Sequence, residues 1–268
     1  MKIQKPLAFN CVFVLYNIKI QNSMSVKSIT NAAKPSCTDL KIWVCDNTTT
    51  QWIKEENKKA CKEENWIYID MKGNKGLSKA YNKALVEIPE KEWVILFDQD
   101  TFIPEYFFIE LLKSIKKSTS ADLHVPYVES LGRRISPSII YGHIIRNKKN
   151  VKNGENSQIT AINSGMAIHR SVFVDVGFYN EELFLDCIDH FFIRRYKKKK
   201  KKLAVFNCTL QQAFSGDDHS NYIKELQRFK IFKNDFYIFC MDSVGGKIYY
   251  VCKIFLRALK LSLIHKND

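Results

Sequence analysis

The sequence predicts an α/β protein built on a mainly parallel sheet, and three observations carry that expectation. The first is Trp93-Val94-Ile95-Leu96-Phe97-Asp98-Gln99-Asp100, where five apolar residues run without alternation into a pair of acids. A strand covered on both faces reads this way, and it ends at the edge where open α/β sheets bind their ligands. The second is the order of elements before it: an apolar run, a helical period and another apolar run imply a βαβ unit with parallel strands. The third is that the strand ends carry polar residues in the same sense, at Asn17, Asp46, Asn74 near its turn, and Asp98 with Asp100. That row is the size of a nucleotide.

Taken in order, Leu7 to Tyr16 is apolar except for Asn10 and reads as the first strand. Lysines precede it, but no small-X-small site follows, which argues against a secretory segment. Ser23 to Ala33 has helical spacing at Met24, Val26, Ile29, Ala32 and Ala33 and stops before Pro35. Leu40 to Cys45 makes a second strand ending in Asp46-Asn47-Thr48, and Trp66 to Ile69 a short third. Gly73-Asn74-Lys75-Gly76 then turns the chain into a helix from Leu77 to Val86, closed off by Pro89. After the Asp98 strand, Pro104 sits at the first turn of a helix carrying Phe107, Phe108, Leu111, Leu112 and Ile115.

The second half is less regular. Leu123 to Val128 reads as a strand, and Gly132 to Asn156, polar and basic, as a long surface loop. A short helix is expected over Ser171 to Val176 and a longer one over Asp186 to Arg195, which would place Asp186 and Asp189 on one face. The six lysines from Lys197 to Lys202 read as a solvated loop, Leu203 to Phe206 as a strand, and the chain from Tyr222 onward as helical. The division is thus an α/β domain over 1–221 and a helical segment over 222–268.

At 268 residues and 46% apolar content the chain can bury a large core. Forty-two Lys and Arg against 28 Asp and Glu give a net charge of +14, which favours an anionic partner. Nucleic acid is not expected, because no zinc finger, basic heptad helix or aromatic RNA-binding signature accompanies the charge. The eight cysteines form no Cys-X-X-Cys pair, so a reducing compartment without structural zinc or a disulfide framework is the reading. No apolar run between Lys247 and His265 is long enough to span a bilayer. Lys253, Arg257 and Lys260 fall in one helical stripe opposite Val251, Phe255, Leu259 and Ser262, a pattern suited to an anionic membrane surface or to a helix packed on the domain with lysines outward.

Asp98 and Asp100 are two apart, point the same way on an extended backbone, and repel unless a cation lies between them. Hard carboxylate oxygens suit Mg²⁺ or Mn²⁺. A phosphatase of the haloacid dehalogenase type also ends a buried strand in Asp-X-Asp, but Phe102 stands where that motif wants Thr or Val. Metal-dependent phosphotransfer through Asp98 and Asp100, or plain phosphate binding by a basic protein, remain the alternatives.

Val14-Leu15-Tyr16-Asn17, Val44-Cys45-Asp46-Asn47, Asn74-Lys75-Gly76-Leu77-Ser78-Lys79-Ala80-Tyr81-Asn82 and Asp98-Gln99-Asp100 follow one another in a familiar order. Asn163-Ser164-Gly165-Met166-Ala167-Ile168, Gly177-Phe178-Tyr179-Asn180-Glu181-Glu182-Leu183-Phe184 and Asp186-Cys187-Ile188-Asp189 continue it. From Val12 to Ser215 the chain resembles the inverting glycosyltransferases of the GT-A fold, family 2, most closely bacterial rhamnosyltransferases and capsule or O-antigen glycosyltransferases. The resemblance implies a Rossmann-like sheet flanked by helices. It implies a nucleotide-diphosphate sugar as donor and a saccharide acceptor, such as a lipid-linked precursor of a cell-surface polysaccharide. The sugar would be rhamnose or another hexose, and the enzyme cytoplasmic, peripheral at the inner face of the cell membrane.

The resemblance also implies roles. An acid at Asp46 would hold the base, Asp98 and Gln99 with Asp100 would meet ribose, diphosphate and Mn²⁺ or Mg²⁺, and Tyr16, Asn17, Asn74 and Gly76 would shape the donor pocket. A histidine that can ligate the metal often stands where this chain has Gln212, which leaves Asp217, Asp218 and His219 to substitute. For the general base, relatives often carry adjacent acids, but Cys187 takes one of those places. Asp186, behind apolar Leu183-Phe184-Leu185, is preferred, and Asp189 is the other candidate, with Arg194 as its suggested partner.

Overall fold

The computed structural model describes residues 7–34, 39–147, 151–213 and 222–264. The chain opens with β1 (Ala8–Leu15), a 3-10 turn at Ile20–Asn22, α1 (Met24–Ala33), β2 (Asp39–Asp46), α2 (Gln51–Glu63), β3 (Ile67–Asp70), α3 (Leu77–Leu85) and β4 (Trp93–Asp98). Then come β5 (Thr101–Phe102), α4 (Phe107–Lys117), β6 (Leu123–Ser130), β7 (Arg133–Ser136), β8 (Ser138–Tyr141), β9 (Ile144–Asn147), β10 (Gly154–Asn156) and β11 (Ile159–Thr160). β12 (Met166–His169), α5 (Ser171–Val176), α6 (Ile188–Lys198), β13 (Leu203–Gln212), α7 (Tyr222–Cys240) and α8 (Val244–Ile264) complete it.

The main sheet runs β10-β13-β6-β12-β4-β1-β2-β3. β1 pairs in parallel with both β2 and β4, and β2 with β3, in registers that set Leu15 beside Asp46, Asp46 beside Asp70, and Val14 beside Asp98. The carboxyl ends of four strands therefore meet along one edge, as the sequence predicts. Alternate residues of β1 feed two cores: Val12 and Val14 pack with Ala80, Tyr81, Phe173 and Phe192 of α3, α5 and α6, while Cys11 and Phe13 pack with Ile29, Phe107 and Leu111 of α1 and α4. That two-sided cover is why β4 reads as an unbroken apolar run and β1 as one interrupted only by Asn10.

The parallel order breaks inside the sheet at β12. β12 lies antiparallel between β4 and β6, entered through Gly165, whose φ of +75° and close approach to Leu210 and Pro126 leave no room for a Cβ. The described residues between Gly132 and Asn156 do not form a long loop. β7 pairs with β6, β10 with β13, and β8 and β9 form a small sheet with β11. The isoleucines supply the reason: Ile140 and Ile145 pack on a cluster formed by Phe232, Phe236 and Phe239 of α7.

The lysine run also departs from a free loop. Lys197 and Lys198 close α6, Lys201 pairs with Asp122 and Asp175, and Lys202 pairs with Glu155.

Candidate active site

A cavity of about 570 Å³ opens at the carboxyl edge of β1 and β4. It is lined by Tyr16, Asn47, Asn74, Gly76, Asp98, Gln99 and Asp100, and by Asn163, the segment from Phe184 to His190, Gln212, Lys224 and Arg228. Each sequence-predicted residue on this list arrives by a local cause. Gln99 Oε1 accepts from the Tyr16 amide at 2.9 Å while its carbonyl accepts from Met24 and Ser23, so the turn after β4 is tied to the starts of two neighbouring elements. Asn47 Nδ2 donates to the Gly76 carbonyl and Asn47 Oδ1 accepts from the Lys75 amide, which pins the turn before α3. Gly76 has φ +85°, and a Cβ there would stand 2.6 Å from the Phe184 carbonyl.

The acid pair is held by its neighbours. Asp98 Oδ1 accepts from Tyr81 Oη at 3.2 Å, and Oδ2 from Ser164 Oγ at 3.2 Å and Gln212 Nε2 at 3.1 Å. The same Gln212 nitrogen donates to Asp100 Oδ1 at 3.1 Å, because β5 and β13 pair with Thr101 opposite Gln212. Burial pushes the Asp98 carboxyl up, against the Gln212 hydrogen bond and with the charge of Asp189 adding to the rise. Burial and then the charge of Asp98 push Asp100 up to about 7. Two carboxylates whose charged forms are disfavoured, beside a buried Gln212 Oε1 that has no hydrogen-bond partner, are a donor set that fits a hard divalent cation. Among the described residues no group of three or more His, Cys, Asp and Glu side chains could hold a metal ion, so Gln212 Oε1, waters or a bound phosphate would complete the shell.

Asp46 is placed differently from its sequence reading. It is fully buried; Oδ1 accepts from the Thr48 amide, and Oδ2 from Asn57 Nδ2 and Tyr68 Oη, so its lone pairs serve the β2 terminus and it does not line the cavity. Asn17, at φ 50°, likewise accepts from Thr49 and stays outside the lining. Asn82, by default an exposed helix residue, is buried and clasps both backbone groups of Tyr179. Asp217, Asp218 and His219 lie outside the described residues.

The two candidate bases also separate. The helix predicted from Asp186 begins at Ile188, because Cys187 adopts a left-handed φ of 60°, and Asp186 and Asp189 share no helix face. Asp186 takes a two-pronged ion pair from Arg228 on α7, Nη2 donating to Oδ1 at 2.7 Å and Nη1 to Oδ2. Asp189 is nearly buried, accepts from the His190 amide at 2.6 Å, and is close enough to Asp98 and Tyr179 to perturb both. Arg194, its suggested partner, pairs instead with Asp242. Burial pushes the Cys187 thiol far up, so it stays protonated and is no base.

Sequence reasoning missed Arg228 and Asp235. Asp235 accepts from the backbone amides of Phe184, Leu185 and Asp186 at 2.9, 2.8 and 2.7 Å and so fixes the segment before α6 from one side chain. The available signal was an acid set between Phe232, Phe236 and Phe239, where an unpaired charge would not be tolerated.

Comparison with known proteins adds to this geometry. Residues 24–177, more than half of the chain, match the model of glycosyl transferase family 2. A dTDP-rhamnosyl transferase of Shigella flexneri, RfbF, is 30% identical over 185 residues, which are 66% of this chain and 59% of that relative, so the chain spans less than two thirds of its length. Among solved structures, the mannosyltransferase PcManGT of Pyrobaculum calidifontis in complex with GDP-Man and Mn²⁺ superposes with a TM-score of 0.60 at 11% identity, covering 94% of this chain and 70% of that one. GalNAc-T7 with UDP, GalNAc and Mn²⁺ gives 0.61 at 15% identity over 79% of this chain and 44% of that one. TarS 1-349 of S. aureus in complex with UDP-GlcNAc gives 0.56 at 14% identity over 93% and 72%. At these identities the solved structures speak to the fold, which is GT-A. With the family match running over β2, β3 and β4 and the site motifs in their order along the sheet, the chain belongs to glycosyl transferase family 2.

Proposed function

We propose that the chain is an inverting glycosyltransferase that moves a hexose, rhamnose first among the candidates, from a nucleotide diphosphate to a hydroxyl of a saccharide acceptor. The observation that carries this reading is the placement of Asp98 and Asp100 at one wall of a single cavity with Asp189 close enough to act on Asp98 electrostatically. In the proposed step Asp189 takes the proton from the acceptor hydroxyl, the oxygen forms its bond to the anomeric carbon, and the bond from that carbon to the diphosphate oxygen breaks on the opposite face. The leaving oxygen keeps the electron pair. A Mn²⁺ or Mg²⁺ held by Asp98 and Asp100 would supply charge neutralisation for the diphosphate when bound.

Asp186 is a positioning residue in this reading. Both oxygens of its carboxylate are taken by Arg228, while Asp189, which also lines the cavity, has no such fork. Tyr16 and Asn74 border the donor side, while Lys224 and Arg228 give the acceptor side a basic wall suited to an acceptor that carries phosphate, as a lipid-linked precursor does. That acceptor would place the enzyme at the cytoplasmic face of the membrane as a peripheral protein; no described helix is long and apolar enough to cross one. A phosphotransfer mechanism of the haloacid dehalogenase type would use the strand-end acid as its nucleophile, and both oxygens of Asp98 already accept hydrogen bonds.

The test is a panel of dTDP-, UDP- and GDP-sugars scored by thermal shift and by donor hydrolysis with Mn²⁺, followed by NMR of the product. At least one donor should stabilise the protein and be turned over with inversion at the anomeric carbon. A retained anomer would overturn the inverting mechanism, and no response to any donor would overturn the transferase reading.

A further inference from the structure

Asn163 lines the cavity from the turn between β11 and β12, yet only 3% of its surface is exposed. The turn is closely held. The Asn163 carbonyl accepts from the Met166 amide at 2.8 Å, and the Gly165 amide donates to the Leu96 carbonyl of β4 at 2.8 Å. Ser164 Oγ lies 2.6 Å from Thr101 Oγ1 and donates to Asp98, so the residue next to Asn163 is already fixed on the acid pair.

One partner orients its carboxamide. Tyr179 is buried, and among the described residues its hydroxyl has Asn163 Oδ1 alone to donate to, at 2.9 Å. An amide turned the other way would leave the phenol hydrogen buried without an acceptor, so Oδ1 faces the tyrosine and Nδ2 faces the cavity. Nδ2 has no acceptor among the described residues and keeps contact with the open space.

The surroundings of Tyr179 say what that donor meets. Its ring centroid is 5.8 Å from that of Tyr81, which donates to Asp98, and 5.0 Å from that of Phe192, about one turn after Asp189 on α6. A sugar in transfer is joined at one carbon to the leaving diphosphate and to the attacking hydroxyl, so it lies between the acids that serve each. We propose that Asn163 Nδ2 donates to a hydroxyl oxygen of the transferred sugar and makes this residue a determinant of which nucleotide sugar is accepted. The inference rests on the transferase reading and adds to it a contact that reads the sugar. Such a contact discriminates by omission, because a nucleotide sugar lacking that hydroxyl leaves the amide unpaired.

The experiment is calorimetric titration of the full chain, with Mg²⁺ present, comparing dTDP-rhamnose with dTDP, UDP-GlcNAc with UDP and GDP-mannose with GDP. The monodeoxy analogues of the tightest sugar donor follow. Asn163→Leu should bind each bare diphosphate as the wild type does and lose about tenfold on the tightest sugar donor, the scale of one hydrogen bond. Removing the contacted hydroxyl should cost the wild type about the same tenfold and cost the variant nothing. A loss shared equally by bare diphosphate and sugar donor overturns the proposal, and so do deoxy analogues that all behave alike in both proteins. Asn163→Ala, which brings no added bulk, carries the same expectations if the leucine side chain unsettles the turn. A wild type that binds neither diphosphates nor sugar donors would end the transferase reading itself, whereas diphosphate binding without a sugar-specific loss in the variants ends only the role of Asn163.

Discussion

Asp186 and Asp189 stand three positions apart at the entry to α6, and the fold gives them opposite surroundings. Arg228 forks onto the first, while the second sits nearly buried toward Asp98. Asp189→Asn should therefore reduce turnover by at least about a hundredfold with the Kd for nucleotide diphosphate unchanged, as read by steady-state kinetics and calorimetry. Asp186→Asn should keep measurable turnover and lose stability by about 1–3 kcal/mol in urea titration, since it leaves Arg228 with half a partner. The reverse ranking of the two would exchange their roles. Gly76→Ala should cost at least about 1–3 kcal/mol, from its φ of +85° and the Phe184 carbonyl in the way of a Cβ, and should weaken donor binding along with it. At this scale the sequence was legible where a residue type has one use, as with the acids that end β4. It was not legible for Asp46, whose partners Asn57 and Tyr68 come from α2 and β3, brought together only by tertiary packing. The αL turn at Cys187 gave no warning either, since nothing but the fold asks a cysteine to adopt it.

Between residue and molecule, the elements themselves set a pH dependence. His124 on β6 is fully buried, with Nδ1 2.8 Å from Ser114 Oγ of α4, Nε2 3.0 Å from the Ala121 carbonyl, and its ring edge-on to Trp93 of β4. Burial lowers its pKa from 6.5 to about 4, so the folded state holds the neutral ring. A depressed folded pKa contributes stability that is present above about 6.5 and lost as pH falls through about 4, here about 3 kcal/mol. Comparing urea midpoints of the wild type and His124→Gln at pH 7 and pH 4.5 should show the wild type losing more between the two; equal losses would remove His124 from the acid response. Elements with strong periods, α1, α3 and α5, were readable to within a residue or two, while α4 starts at Phe107, three residues beyond the Pro104 expected in its first turn. α2 carries little besides Trp52 and Ile53 on a charged background, and β7 to β9 are four-residue strands, the first with one isoleucine and the other two with adjacent pairs that show no sheet period.

For the whole molecule, the parallel half of the sheet was readable because parallel strands put every carboxyl end on one edge, whatever the order between them. The insertion of β12 between β4 and β6 was not, since an antiparallel partner is chosen by contacts far away in sequence. The charge balance belongs to this scale too. Some of the 42 Lys and Arg are balanced by acids, as Lys199 and Lys201 are by Asp175, and the surplus of 14 is what favours an anionic partner. In the proposed reading these parts are tied into one enzyme at the edge where Asp98 and Asp100 would meet a nucleotide diphosphate and a divalent cation. Calorimetric titration of dTDP and UDP into the wild type and Asp100→Asn, each with and without Mn²⁺, tests that claim most directly. Mn²⁺ should tighten wild-type binding by about tenfold or more and leave the affinity of Asp100→Asn unchanged. An equal gain in both proteins would contradict it.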